Sequence, residues 1–503
     1  MKLKQLIAAL EKKEVFREKN MNVEIKNISY HSRKVTPGSL FVCIKGFKSD
    51  GHNFIPQAIK NGAAAFLVEA TSLPGRGRLP VAGKQLPKVI VPDSRKALAL
   101  LSAEFYGHPS RKLKLIGVTG TNGKTTTTYL LESILRRGGY KVGLLGTIIY
   151  RIGDRNILPR NTTPESLDLQ EILSRMSAEK IEYAVMEVSS HALELSRTEA
   201  CQFEGAIFTN LSRDHLDFHR TFSHYLEVKS RLFASLKKGK KALINIDDPH
   251  ADYIMKKTRA RVITYGISRK ADLRAEGLRG RKKGVFFKLN TPRGNLEINL
   301  NLRGKINVYN ALGLIVSALE ERVDLKSIKE GLEGIKTVPG RMERIEEGQG
   351  FEVLIDYAHT PSALAEVLKT VRESAQGRII VVFGCGGGRD RGKRPLMGKA
   401  AVEYSDRVIL TSDNPRNEDP REIISEIEKG ICPPRAGKKK ENYKIIPDRF
   451  KAIKEALLKA SRKDTVVIAG KGHEVSQIIG DKIIPFDDRE VARKILGNGK
   501  AQS

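Results

Sequence analysis

The feature of this chain that most restricts its fold is where its polar clusters fall: each follows directly on a short apolar run. Residues 114–118 lead into Thr119-Gly-Thr-Asn-Gly-Lys-Thr125, residues 183–186 into Glu187-Val-Ser-Ser-His191, and residues 206–208 into Thr209-Asn-Leu-Ser-Arg-Asp-His215. The habit returns later, with 353–355 before Asp356-Tyr-Ala-His359, 379–383 before Gly384-Cys-Gly-Gly-Gly-Arg389, 408–410 before Asp413-Asn-Pro-Arg416, and 465–468 before Gly470-Lys-Gly-His-Glu474. Apolar runs of strand length alternating with helix-like segments predict an α/β fold with largely parallel sheets. In such sheets ligands bind outside the C-terminal ends of the strands, where these clusters fall.

At roughly 100 to 200 residues per domain, 503 residues imply about three domains. The first block, 1–111, contains apolar runs at 40–44, 63–68 and 89–91 and closes with a linker helix over 94–106. The second, 112–338, opens with the strand at 113–118; the third, 339–503, begins at the Pro339-Gly340 break and its first strand is 351–355. Internal repeats and low-complexity tracts are not found. Two sheet edges facing one another across an interdomain cleft would make a site for two substrates.

With 40% hydrophobic and 29% charged residues the composition is that of a soluble globular protein, and no apolar run approaches the roughly 20 residues that span a bilayer. The run at 6–10 is cut short by Glu11, Lys12 and Lys13, too short for a signal-peptide core, so a cytoplasmic location is expected. Cys43, Cys201, Cys385 and Cys432 show no CxxC spacing and read as reduced thiols. The net charge of +31 admits nucleic acid, anionic small molecules or a solvated surface. The basic runs 237–241, 279–283 and 438–440 carry no interleaved aromatic platforms, which favours a solvated surface over nucleic acid.

Gly120-Thr-Asn-Gly-Lys-Thr-Thr126, between a strand and the helix-like 127–137, resembles a Walker A loop, although Val118 stands where the first glycine belongs. Gly120 and Gly123 let backbone N–H groups approach phosphate oxygens, with Thr121 and Asn122 between them; Lys124 can reach the β and γ phosphates, Thr125 can hold Mg²⁺, and Thr126 follows in the first helical turn. ATP use follows. On the helix at 221–234, Phe222, Tyr225, Leu226, Leu232 and Phe233 form an apolar arc with Lys229 in its middle. Such a lysine either snorkels along its stem or is desolvated into the neutral amine that CO₂ carbamylation requires. His191, His215 and His219 are open to core, capping or functional roles, since no pair has strong metal-ligand spacing, whereas Glu187, ending a strand beside the phosphate loop of the expected sheet, reads as functional.

The phosphate loop, the Glu187 segment, Asn307-Val-Tyr-Asn310, Gly340-Arg-Met-Glu-Arg344 and Asp356-Tyr-Ala-His359-Thr-Pro361 together, in this order along the whole chain, resemble the Mur ligase family. The resemblance implies an N-terminal domain for a uridine nucleotide, a central P-loop ATPase and a Rossmann-like C-terminal domain for an amino acid. It implies a monomeric peptidoglycan-precursor ligase, serving cell wall growth, shape and division, that uses ATP and Mg²⁺ to add meso-diaminopimelate to UDP-N-acetylmuramoyl-L-alanyl-D-glutamate. Tyr30, Ser32 and the segment Phe47, Lys48 and Ser49 would contact the UDP part, and Asn161, Thr162, Thr163, Ser189 and Arg197 the muramoyl dipeptide. Leu195 stands where some relatives carry glutamine. Glu187 would bind Mg²⁺ with Thr125, Lys229 matches the lysine this family carbamylates, and His215, Asn310, Arg341 and Asp356 fall at positions used around metal, adenine and ribose or phosphate.

The reaction implied is attack of a substrate carboxylate on the γ-phosphate, then attack of the incoming amine on the acyl phosphate. Lys124 and Mg²⁺ would offset the repulsion between the anions, so positioning and electrostatics carry catalysis. Diaminopimelate differs from lysine by one carboxylate, which a guanidinium reads with two parallel hydrogen bonds. Asp413-Asn414-Pro415-Arg416 has the diaminopimelate-adding form of its motif, and Arg389, Gly470 and Glu474 would complete the enclosure, the glutamate taking the ammonium. A lysine-adding ligase is the near alternative. A folylpolyglutamate-type ligase would lack the N-terminal block, and a P-loop ATPase acting on nucleic acid would show steeply salt-dependent binding.

Overall fold

The computed structural model describes residues 1–16, 20–47, 49–70, 86–281, 283–431 and 442–499; Lys48, Cys432 and the basic run 438–440 lie outside them. The chain divides into two compact units, one made of 1–117 with 140–205 and the other of 118–139 with 206–503.

In the first unit a five-stranded sheet runs in the order Glu14–Phe16, Lys88–Val91, Ala63–Glu69, Ser39–Val42, Asn27–Ser29. All neighbours are parallel except the first pair. The three central strands are buried on both faces, as parallel strands covered on two sides must be: Leu40, Val42, Leu67 and Val89 pack with Leu98 and Leu101 of the helix Ser94–Phe105, and Phe41, Phe66 and Val68 face the other way. Asp93 starts that helix by accepting from the backbone N–H groups of Arg95 and Lys96. Strand Val142–Leu145 lies parallel to Tyr183–Glu187, and Tyr150–Ile152 and Arg155–Ile157 continue antiparallel.

The second unit carries the helix Lys124–Arg137 and the strands Lys241–Asn245, Arg261–Gly266, Leu273–Arg281, Gly284–Thr291 and Gly294–Leu300, hydrogen-bonded in that order. The first three run parallel, but the last two turn the sheet into an antiparallel meander, a departure from the mostly parallel expectation. Connection length explains it. Arg281 pairs with Gly284 and Thr291 with Gly294 across two-residue links, and a parallel crossover needs a dozen residues or more.

A second sheet in this unit runs Glu343–Arg344, Glu352–Asp356, Thr465–Ala469, Ile379–Phe383, Arg407–Leu410, Tyr443–Ile445. It is parallel apart from its first strand, so Asp356, Ala469, Phe383 and Leu410 end at one edge. Helix Pro361–Ser374 covers one face over Leu354, Val381 and Val467, and helix Arg449–Lys459 covers the other over Ile355, Val382 and Ile468. Behind that edge Arg449 is fully buried and donates to both oxygens of Asp488, at 2.8 and 2.7 Å, and to the carbonyl of Ala469 at 3.0 Å. Removing one partner of a buried pair leaves the other uncompensated, so Asp488→Asn is expected to cost about 3–5 kcal/mol in chemical denaturation followed on this sheet. A loss within experimental error would show that the pair does not hold the sheet.

Candidate active site

The phosphate loop is shaped by two positions that admit no side chain. Gly120 has φ +152° and a Cβ there would lie 1.9 Å from Thr209 Oγ1; Gly123, at φ +88°, precedes the helix Lys124–Arg137, and a Cβ on it would lie 2.2 Å from Asn310 Oδ1. The residues that follow the strand Gly205–Phe208 hold the loop from beside. Thr209 Oγ1 and Asn210 Nδ2 donate to the Asn122 carbonyl at 2.7 and 3.1 Å, the Asn122 N–H donates to Asn210 Oδ1 at 3.0 Å, and Thr121 Oγ1 accepts from the Ser212 N–H at 2.9 Å. Thr125 and Thr126 are buried in the first turn of the helix, whose N-terminal N–H groups and dipole form an anion site.

Lys124 Nζ donates to the Gly120 and Thr121 carbonyls, both at 2.9 Å. Lys229 also reaches Gly120, donating to its carbonyl at 2.8 Å, with its ammonium 4.8 Å from the centre of the Tyr225 ring. At 1% exposure Lys229 does not snorkel. Burial drives its amine well below the ordinary lysine value, Lys124 adds repulsion, and Asp214 opposes them.

Asp214 has three nitrogen partners: His215 Nε2 at 3.2 Å, His359 Nε2 at 3.7 Å and Lys393 Nζ at 3.8 Å. Burial alone would raise its carboxyl, but His359, His215 and Lys393 hold it well below the usual carboxylate range. Arg341 Nη2 donates to Thr125 Oγ1 at 3.1 Å, and its guanidinium stacks 4.5 Å from the Tyr357 ring centre. Beside it opens a cavity of about 620 Å³ whose lining includes Lys283, Arg303, Asn307, Lys336 and Arg341. Asn310 Nδ2 donates to Asn307 Oδ1 at 3.0 Å, while Asn310 Oδ1 is buried without a hydrogen-bond partner among the described residues. Asp356 serves the fold locally: its carboxylate accepts from the N–H groups of Met342 and Ala358, each at 2.7 Å, and complete burial raises its pKa against their pull and that of Arg341.

At the edge of the second sheet, 384–389, 413–416 and 470–474 converge. Gly386 lies so near Arg416 that a Cβ would meet its Nη1 at 2.9 Å, and a Cβ on Gly470 would meet Asp413 Oδ2 at 2.6 Å. Arg416 Nη1 donates to the Gly387 carbonyl at 2.8 Å, and Asn414 Nδ2 to Glu474 Oε2 at 2.8 Å. Burial lowers the pKa of Arg416, the neighbouring Arg389 lowers it further, and Asp413 and Glu474 pull it back. Two guanidiniums and two carboxylates thus gather at one sheet edge, an arrangement that suits a zwitterion with an additional charged group. Pro415 completes the loop; its carbonyl closes on Gly387, where a Cβ would meet it at 1.9 Å.

In the first unit Glu187 ends its strand almost wholly buried, accepting from the Thr147 N–H at 2.9 Å and from Thr147 Oγ1 at 3.0 Å. Around it Thr147 Oγ1 accepts from Thr162 Oγ1 at 3.1 Å, Thr163 Oγ1 donates to the Glu187 carbonyl at 2.8 Å, the Ser189 N–H to Thr163 Oγ1 at 3.1 Å, and Arg197 Nη1 to the Thr163 carbonyl at 3.1 Å. Tyr150 OH donates to the Asn161 carbonyl, and Leu195 ends the short helix Ser190–Glu194. Tyr30 OH donates to Asp168 Oδ2 at 2.6 Å, and burial with that bond raises its pKa. Ser32 is buried nearby in sequence, whereas Phe47 is 76% exposed and Ser49 is exposed. Thr147, Asp214, His359 and Lys393 were missed on sequence grounds; only Asp214 and His359 had a signal, as members of clusters at strand ends.

A glycine-pinned phosphate loop with a buried lysine above it, in a fold of parallel α/β sheets, defines a P-loop nucleotide-using enzyme. Three Mur family models tile the chain: "Mur ligase family, catalytic domain" over 24–106, "Mur ligase middle domain" over 118–318, and "Mur ligase, glutamate ligase domain" over 340–472. The chain is 47% identical to UDP-N-acetylmuramoyl-L-alanyl-D-glutamate--2,6-diaminopimelate ligase 1 of Clostridium acetobutylicum over 99% of both chains, and 48% identical to the ligase of that name from Geobacillus thermodenitrificans over 94% of this chain and 95% of the other. A solved structure of such a ligase superposes with a TM-score of 0.65 at 32% identity, covering 99% of this chain and 100% of that one. The chain belongs to the Mur ligase family, with its three-domain architecture, and is an ATP-dependent ligase.

Gly120→Ala is expected to weaken ADP binding by about a hundredfold in calorimetry, because its methyl group must displace Thr209 and with it the loop's lateral support. Binding within about threefold of wild type would mean that the loop is not held this way.

Proposed function

We propose that this enzyme adds meso-diaminopimelate to UDP-N-acetylmuramoyl-L-alanyl-D-glutamate, making a peptidoglycan precursor. The observation that carries the choice of amino acid is Arg416, half-buried at the sheet edge beside Arg389, Asp413 and Glu474, where lysine would leave a guanidinium without its carboxylate. The glutamyl carboxylate attacks the γ-phosphorus of ATP, the bond to the β-phosphate oxygen breaks and ADP leaves; the amine then attacks the acyl phosphate, loses a proton and expels inorganic phosphate. Lys124 and the N-terminus of its helix stabilise the phosphate charge. Asn310 and Arg341 take the base and ribose side, with Asn310 Oδ1 offering an acceptor that the described residues leave unused. Tyr30, Ser32, Phe47 and Ser49 contact the UDP moiety; Asn161, Thr162, Thr163, Ser189 and Arg197 contact the dipeptide, with Leu195 giving an apolar contact.

Among the described residues no group of three His, Cys, Asp or Glu side chains forms a metal cage. Mg²⁺ fits the residues nonetheless, since it keeps waters and takes one or two carboxylates together with substrate phosphates. Thr125, His215 and Lys229 as its carbamate would be its protein contacts in the second unit, and the ion would supply positive charge to the transferring phosphoryl group. The depressed, desolvated amine of Lys229 favours addition of CO₂, which turns the neutral amine into a carboxylate-like ligand. The domains are 1–111, 112–338 and 339–503, and the protein works as a monomer in the cytoplasm, where its water-soluble nucleotide substrates are found. No helix among the described residues is long and apolar enough to cross a membrane.

Arg416→Ala is expected to raise the KM for diaminopimelate by about a hundredfold and that for ATP by less than about twofold in steady-state assays; equal effects on both would contradict the assignment. Depleting CO₂ from the buffer is expected to lower kcat, and bicarbonate to restore it, with Lys229→Met insensitive to either; a wild-type rate that ignores CO₂ would exclude the carbamate.

A further inference from the structure

Lys471 reaches from the loop 470–474 to the loop 413–416, and its side chain is fully buried. An ammonium is stable there only if its protons all find acceptors. They do: Asn414 Oδ1 at 3.3 Å, Glu474 Oε2 at 3.1 Å and the Ser476 carbonyl at 2.5 Å. Asn414 Oδ1 also accepts from the Ile478 N–H at 3.0 Å. With its oxygen taken by two donors, the Asn414 amide turns its nitrogen toward Glu474 and donates to Oε2 at 2.8 Å. Both bonds to Glu474 therefore fall on one oxygen, and Oε1 has no protein partner among the described residues.

The third acceptor ties the lysine to the antiparallel ribbon Ser476–Ile479 and Lys482–Pro485. That ribbon holds the Arg416 backbone: the Arg416 N–H donates to the Ile478 carbonyl at 3.0 Å and the Gly480 N–H to the Arg416 carbonyl at 2.7 Å. Arg416 sits at φ +52°, a left-handed conformation that a side chain accepts only when its surroundings impose it. Gln477 Nε2 donates to the Asp413 carbonyl at 2.6 Å from the same ribbon.

We propose that Lys471 is the positioning residue of the amino-acid pocket. It sets the orientation of the Asn414 amide, engages one oxygen of Glu474 so that Oε1 is left for the substrate ammonium, and anchors the ribbon that aims Arg416 at a carboxylate. Lys471 acts through these groups and touches no reacting atom, and this role rests on the amino-acid assignment proposed above.

The test begins with wild-type turnover on diaminopimelate; its absence would refute that assignment and not the role of Lys471. Given turnover, Lys471→Met is expected to raise the KM for diaminopimelate about tenfold or more, leave that for ATP within about twofold, and lower the preference for diaminopimelate over lysine. In a Glu474→Gln background the same substitution is expected to cost much less, because the two act on one contact. Should Lys471→Met fail to fold, the isosteric Asn414→Asp, which loses the donor to Glu474, is expected to raise the same KM selectively. Parallel losses for ATP and amino acid, additive effects in the double variant, or an unchanged amino-acid KM in a folded variant would each overturn the proposal.

Discussion

One carbonyl oxygen, that of Gly120, accepts hydrogen bonds from both Lys124 and Lys229. Two ammonium groups converging on a neutral acceptor in a buried place repel one another, and the amine that is entirely desolvated gives way by losing its proton more readily. The glycine makes the arrangement possible: no other residue lets the strand turn this closely past Thr209 and present its carbonyl to both lysines. The shape of the loop and the altered lysine are consequences of that one turn.

The second sheet solves a different problem with the same economy of backbone. Its edge must hold opposite charges close together without letting them collapse on each other. Arg449 and Asp488 bind the loops from behind, Lys471 binds Asn414 to Glu474 from below, and Arg394, also fully buried, pairs with Glu418 and Glu426 beside the glycine-rich segment. Three of the 89 lysines and arginines are thus internal struts and not surface. Composition cannot distinguish the two, because burial depends on partners far away in the chain.

Much of the architecture was legible beforehand, because strand ends and helix faces are local. The strand 379–383 falls where its apolar run does, the helix Phe222–Ala234 starts at Thr221, and Lys229 lies buried on the arc to which its spacing assigned it. What escaped depends on residues distant in sequence. Thr147 meets Glu187 across 40 positions, Asp214 meets His359 and Lys393 only through the packing of the second unit, and Lys471 looks like one more lysine until Asn414 and Ser476 close around it. The antiparallel meander is decided by two local features, the alternating burial of Gly284–Thr291 and Gly294–Leu300 and the two-residue links between its strands.

The most direct measurement is the release of phosphate from ATP and Mg²⁺ with UDP-N-acetylmuramoyl-L-alanyl-D-glutamate present and meso-diaminopimelate, lysine or no amino acid added. Sustained release with diaminopimelate, at least about a hundredfold faster in kcat/KM than with lysine and near background with neither, is the result a carboxylate-reading Arg416 requires. Equal rates with lysine, or release that ignores the amino acid, would contradict it.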